Sequence, residues 1–347
     1  MSYEWGIRWL ARDLGFIPQA FRDSVGIKPD PRWFTPDLKT TESWPPRADG
    51  VVAYPSGFHW GSIYHGTPFP AGAAVALGRL GLMGGGLARA LRPEKVYVVV
   101  PTAFNGARDG MDEVTNVVNK LWQEKAVFGM LQEDCLGTLP KTTRLLICPK
   151  GVTAASEGKL AELRRSGVEV FTGADDGWRK SAQLPHLSVT PGEGTNLLVR
   201  RTVQGTLYGL LNRVPVKAVT LKTERGTPVR MGLSDYVLVQ EGEAGINWVE
   251  ASGEVVVQGS PFCAIDRGRA ILASDDGLDL VHSKRVRVLA TEPTRIKFSR
   301  AIASVAVLEE GRRDALATFE PEAADNFSLD IDSELIRYVL RIELQAK

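Results

Sequence analysis

Two runs of the chain, VYVVVP at 96–101 and RLLICP at 144–149, hold apolar residues back to back and end in proline. A strand built from such a run has no polar face to offer water, so it must be covered on both sides, as in a parallel sheet flanked by helices. What lies around the two runs fits that demand. Val114, Val117, Val118, Leu121 and Trp122 recur at helical spacing and predict a helix over 111–124. VFGML at 127–131 and VEVFTG at 168–173 read as further strands, and Leu160 and Leu163 mark a second helix. Strand, helix, strand, strand, helix, strand describes a small doubly wound α/β layer.

The pattern changes after residue 190. Short alternating runs recur at 196–203, 206–212, 217–223, 253–259, 285–290 and 294–299, parted by turns such as Glu224-Arg225-Gly226 and Asp275-Asp276-Gly277. LIRYVLRIEL at 335–344 reads as a last strand. Many short strands at this spacing predict an antiparallel β-sandwich. Residues 1–90 differ from both: five of the eight tryptophans lie there, and prolines recur at 18, 29, 31, 36, 45, 46, 55, 68 and 70. Prolines that dense break helices and interior strands, which leaves a loop-rich wrapping segment whose aromatics pack on something else. Gly78, Gly81 and Gly84 share a helix face and read as a close-packing surface. The expected organisation is therefore a wrapping segment at 1–90, an α/β domain at 91–185 and a β-sandwich at 190–347.

Several functional classes drop out. Lys plus Arg number 42 against 41 Asp plus Glu, a net charge of +1, so no basic footprint exists for nucleic acid or an acidic membrane face. No window holds 18 uninterrupted apolar residues, so no membrane-spanning helix is expected. MSYEWGIRWLARD has acids and arginines where a signal peptide needs an apolar core, which makes cytoplasmic the default location. Cys135, Cys148 and Cys263 are too few and scattered for a disulfide framework or a zinc knuckle, and read as reduced, mostly buried thiols.

Candidate sites are sparse. TAFNGARDG at 102–110 follows the first strand but lacks the glycine pattern of a phosphate loop, and no cofactor is expected. Cys148 lies inside an apolar run with no nearby histidine, a structural position rather than a nucleophile. Asp175-Asp176-Gly177 and Asp275-Asp276-Gly277-Leu278-Asp279 read as turns, calcium at the second being the lesser reading. Asp330, Asp332 and Glu334 alternate as on the exposed face of a strand. The most unusual stretch is YPSGFHWGSIYHGTPFP at 54–70, which gathers Tyr54, Phe58, His59, Trp60, Tyr64 and His65. Flat rings beside hydrogen-bonding imidazoles suit a sugar face. The competing reading is that these side chains fasten the segment to neighbouring domains. No carboxylate pair of the kind glycoside hydrolysis uses stands out, and no catalytic residue is assigned.

VYVVVPTAFNG, the helix at 111–124 and VFGMLQEDCLGTLPKTTRLLICPKGVTAASEGKLAELRRSGVEVFTG together resemble one region of family-42 β-galactosidases and related glycoside hydrolases. That region is a flavodoxin-like domain, similar to class I glutamine amidotransferases, which follows the catalytic barrel. TLYGLLNRVPVKAVTL, SGEVVVQG and ASDDGLDLVHSKRVRVL resemble the β-sandwich that comes next. The resemblance covers most of 90–300. It implies a chain without the barrel's catalytic glutamates, and the absence of a G-x-C-x-G elbow implies no amidotransferase activity. The function implied is a non-catalytic carboxyl-terminal module or subunit. It would form a homo-oligomer through its α/β domain and dock on a catalytic barrel that is either a separate chain or a missing amino-terminal domain. Carbohydrate is the ligand implied. The alternatives are a self-contained glycosidase working at 54–70 through His59 or His65, and a carbohydrate-binding module built on the sandwich.

Overall fold

The computed structural model describes residues 94–345 apart from 101–107, 150–153, 174–175, 203–204, 213–215, 234–235, 291, 309–314 and 322–325. The proline-rich segment and its six aromatic and histidine candidates lie outside the described residues. Two compact units form: 94–186 together with Leu197–Val203, and Leu187–Asn196 together with Gln204–Lys347.

The first unit is laid on a four-stranded parallel sheet. Its strands are β1 (Val96–Val100), β2 (Gly129–Gln132), β3 (Leu145–Cys148) and β4 (Glu169–Thr172), in the order β2-β1-β3-β4. All of β1 and β3 is buried, as the unbroken apolar runs required. Helix α1 (Arg108–Gln123) presents Val114, Val117, Val118, Leu121 and Trp122 to the interior, each no more than 8% exposed. Helix α2 (Ala154–Arg165) brings Leu160 and Leu163 against Tyr97 and Val99 of β1, Leu146 and Cys148 of β3, and Val170 of β4. Burying a leucine such as Leu160 this completely is worth about 2–5 kcal/mol on truncation to alanine. No α-helix joins β2 to β3; a 3-10 segment at Glu133–Thr138 begins that crossover and seats Leu136 in the same cluster.

The other sheet holds fourteen strands, and every pairing described in it is antiparallel. In chain order they are β5 (Ser188–Thr190), β6 (Thr195–Thr202), β7 (Gly205–Asn212), β8 (Val216–Lys222), β9 (Pro228–Leu233), β10 (Tyr236–Gly242) and β11 (Gly245–Val257). Then come β12 (Ser260–Ser274), β13 (Arg285–Ala290), β14 (Thr294–Phe298), β15 (Ile302–Leu308), β16 (Ala315–Phe319), β17 (Ser328–Ile331) and β18 (Val339–Leu344). The main path runs β16-β15-β18-β13-β12-β11-β10-β7-β6, with β14 and β17 branching from β12, and β9, β8 and β5 from β11. The 13- and 15-residue strands β11 and β12 serve both the path and the branches, which is why the sheet can fork. Near the fork Phe262 meets Phe298 edge to face, ring centroids 5.9 Å apart.

Two sequence readings need correction. LIRYVLRIEL is not one strand: Leu335–Arg337 is a 3-10 turn and only Val339–Leu344 is extended. Asp332 is exposed, as read, but lies past the end of β17, and one of its carboxylate oxygens accepts the backbone N–H groups of Glu334 and Leu335, both at 2.9 Å. A short side chain that satisfies two amides this way favours a turn over continued strand. The three thiols are free and mostly buried, as read: Cys148 and Cys263 are buried and Cys135, on the 3-10 segment, is half-buried.

Candidate functional site

Open parallel sheets take ligands at the carboxyl ends of their strands, where the strand order changes direction. Here β2 and β3 lie on opposite sides of β1, so the change falls between β1 and β3. The loop at 102–107 lies outside the described residues. Glu133 follows β2 and is 2% exposed. Ser156, in the first turn of α2, donates its hydroxyl to Glu133 Oε1 at 2.6 Å. Cys148 closes β3, and its thiol is pushed up to about 12, first by burial, with Glu133 and Glu157 adding to the effect against an opposing pull from Arg164. Burial thus favours the neutral thiol, and Cys148 packs in the core cluster of this unit.

The aspartates singled out in sequence are occupied by this chain's own groups. Asp176 receives both contacts of the Lys120 ammonium, at 2.9 and 2.6 Å, while Arg179 bridges to Glu124 at 2.7 Å. Asp175 lies outside the described residues. Asp276 accepts the hydroxyl of Ser274 at 2.9 Å and the backbone N–H groups of Lys284 at 2.8 Å and Leu278 at 3.3 Å. Burial works to raise its pKa, but these donors together with Ser283 outweigh it and hold the carboxyl below its ordinary value. Asp279 accepts the N–H groups of Ile246 and Val281 at 2.9 and 3.0 Å. Among the described residues no cluster of three His, Cys, Asp or Glu side chains forms a metal site.

A second polar centre escaped the sequence reading. Glu241 is 3% exposed at a point where β10 slips register against β11. Its Oε1 accepts hydroxyls from Thr223 at 2.8 Å and Thr227 at 2.7 Å, and its Oε2 that of Tyr208 at 3.2 Å. Arg225, in the same turn as the threonines, donates to the carbonyls of Gly242 and Glu243 at 2.7 and 2.8 Å. Three hydroxyl donors on one buried carboxylate fix the turn at 223–227 to the strand. The only sequence signal was a glutamate closing the run YVLVQEG, whose first four residues are apolar or aromatic. In the first unit, Glu94 is buried and paired with Arg201. The buried carboxylates of Glu241 and Glu94 thus serve internal cohesion.

No protein-family model matches the chain, and no curated protein does. Among solved structures it is similar to a GH42 β-galactosidase from G. stearothermophilus at 10% identity and a TM-score of 0.21, over 80% of this chain and 43% of that one. It is similar to a β-galactosidase from Bacillus circulans sp. alkalophilus at 11% identity and a TM-score of 0.20, over 84% and 45%. Likenesses at that score are too remote to define a common fold. The chain spans less than half the length of those enzymes.

Proposed function

We propose that this chain is a non-catalytic carboxyl-terminal module or subunit of a glycoside hydrolase, one that self-associates and docks on a catalytic barrel. The observation that carries the reading is the order of parts. A parallel sheet arranged β2-β1-β3-β4 precedes an antiparallel one, the succession implied by the sequence resemblance. That order is the first four strands of the flavodoxin-like arrangement 2-1-3-4-5. On this reading the antiparallel strands correspond to the family's β-sandwich. The chemistry of the first unit supports the absence of a catalytic role: Cys148 is an inert thiol and Glu133 is held by Ser156.

The test is the native species in its source cells, followed with an antibody to the antiparallel unit. Co-purification with a larger polypeptide that hydrolyses nitrophenyl glycosides, or a single species far above 37.8 kDa, is the expected result. A lone 37.8 kDa species that hydrolyses such a panel unaided overturns the reading.

A further inference from the structure

After β4 the chain passes the carboxyl end of α1 as a segment running from Asp176 to His186. It begins with a 3-10 turn, Asp176–Lys180, and the backbone N–H groups of Ser181 and Leu184 donate to Trp178 and Ser181 of the same segment. Its backbone joins the rest of the unit at the far end, where the Val127 N–H donates to the Pro185 carbonyl at 2.9 Å and Ala126 bridges to His186. His186 adds a tie there, its Nδ1 donating to the carbonyl oxygen of Glu124 at 2.9 Å. Two apolar side chains anchor the middle, Trp178 and Leu184, both buried.

The near end is held by charge. Lys120 and Glu124 stand one turn apart at the end of α1, where the Glu124 N–H donates to the Lys120 carbonyl. Asp176 and Arg179 stand three residues apart on the 3-10 turn and so share its face. Lys120 Nζ meets the two Asp176 oxygens at 2.9 and 2.6 Å, and Arg179 Nε meets Glu124 at 2.7 Å. Arg179 also lies 3.8 Å from Asp176 and over the Trp178 ring, 5.6 Å from its centroid. The four charges therefore alternate in sign around a ring, two on the helix and two on the segment. Their side chains are 27–40% exposed, so dissolved salt screens them.

We propose that Asp176–His186 is an ionic latch, a segment that opens as one piece while the parallel sheet stays folded, and whose hold is set by ionic strength. Strands β1 and β3 are each paired on both sides within the sheet, whereas the latch leans on side chains for most of its length. Segments so held open locally at a smaller cost than the whole fold. The ring favours the closed state in particular. Lys120 and Asp176 are 56 residues apart in sequence, so lifting the segment breaks both contacts that cross to the helix and leaves each remaining pair on its own element. Opening uncovers Trp178 and the carboxyl end of α1.

The latch is a property of the first unit and stands apart from any role beside a catalytic barrel. The experiment is hydrogen exchange of the full chain, read peptide by peptide by mass spectrometry, in about 0.05 M and 1 M sodium chloride. The parent is compared with Lys120→Met, which keeps the apolar stem and removes the charge, and with Lys120→Arg, which keeps the charge. The expected result is faster exchange of the 176–186 amides in high salt, with β1 and β3 unchanged. Lys120→Met should exchange these amides up to about fivefold faster than the parent in low salt and respond less to added salt, while Lys120→Arg behaves as the parent. Exchange of 176–186 in step with β1 and β3 overturns the proposal, since the segment then opens only with the whole unit. So does a rate indifferent to salt, or Lys120→Met and Lys120→Arg exchanging alike.

Discussion

The Tyr208 hydroxyl donates to Glu241 at 3.2 Å and accepts the backbone N–H of Glu224 at 3.1 Å, so one phenol joins strand β10 to the turn after β8. Its pKa is raised, first by burial and then by the charges of Glu241 and Glu224 against the opposing N–H, so it serves as a neutral donor. Removing that oxygen takes a donor from a buried carboxylate and an acceptor from a backbone amide. Tyr208→Phe is expected to lower stability by about 1–3 kcal/mol, read as a shifted urea midpoint with an unchanged slope.

A buried ion pair behaves asymmetrically when cut. Glu94 is 4% exposed, its backbone N–H donates to the Tyr97 hydroxyl at 2.9 Å, and its carboxylate faces Arg201. Arg201→Met leaves that charge without its guanidinium and is expected to cost about 3–5 kcal/mol. Adding Glu94→Gln to the same protein should recover part of the loss, because the stranded charge is then gone. Urea unfolding of the two single variants and the double variant reads the cycle.

The strands legible in sequence were those with unbroken or strictly alternating runs. VYVVV is β1, and RVRVLA coincides with β13. Strands β9, β10 and β12 were not legible as separate elements, and GEVVVQG marked only the far half of β11. The reason is local: β11 and β12 slip register between Ala251 and Gly253 and again between Val255 and Val256. Each slip resets which parity of residue faces inward, so SPFCAIDRGRAILAS shows no single alternation although it is one strand. The Glu241 centre was invisible for another reason, since its donors come from residues 208, 223 and 227 and only the folded sheet collects them. The burial of Cys148 could be read from its apolar neighbours alone.

Gly232 of β9 lies against the slip in β11. A Cβ built there comes 2.2 Å from the carbonyl oxygen of Ser252 and 2.9 Å from Cα of Gly253, which is backbone that cannot rotate aside. Gly253 itself holds φ at +89°, a region glycine enters without strain. Gly232→Ala is expected to separate the two strands locally and cost about 1–3 kcal/mol, measured as a fall in melting temperature.

Asp276 predicts the acid limb of the stability profile. Its carboxyl titrates below its ordinary 3.8 in the folded chain, so its contribution is complete above that value and is lost as pH falls through the lower folded one. Asp276→Asn removes that term. Melting temperatures recorded from about pH 2 to 7 should fall less steeply at the acid end in the variant than in the parent. Parallel curves would show that the carboxyl's charge contributes nothing to the 274–285 loop.

The alkaline limb has the opposite sign. Cys148 is raised by burial from its ordinary 9.0 to about 12, and Cys263 is raised by burial alone. A group held in its neutral form contributes fully below its unfolded pKa and loses that contribution as pH climbs toward the folded value. Stability should therefore decline from about pH 9 upward, and Cys148→Ala should flatten part of that decline. The same burial orders the thiols kinetically. At about pH 8 an alkylating reagent followed by mass spectrometry should label half-buried Cys135 first, and should reach Cys148 and Cys263 only at the rate at which the chain opens. Labelling of Cys148 as fast as Cys135 in the native protein would mean that the carboxyl end of β3 is open to solvent, and the inert role assigned to that thiol would fall with it.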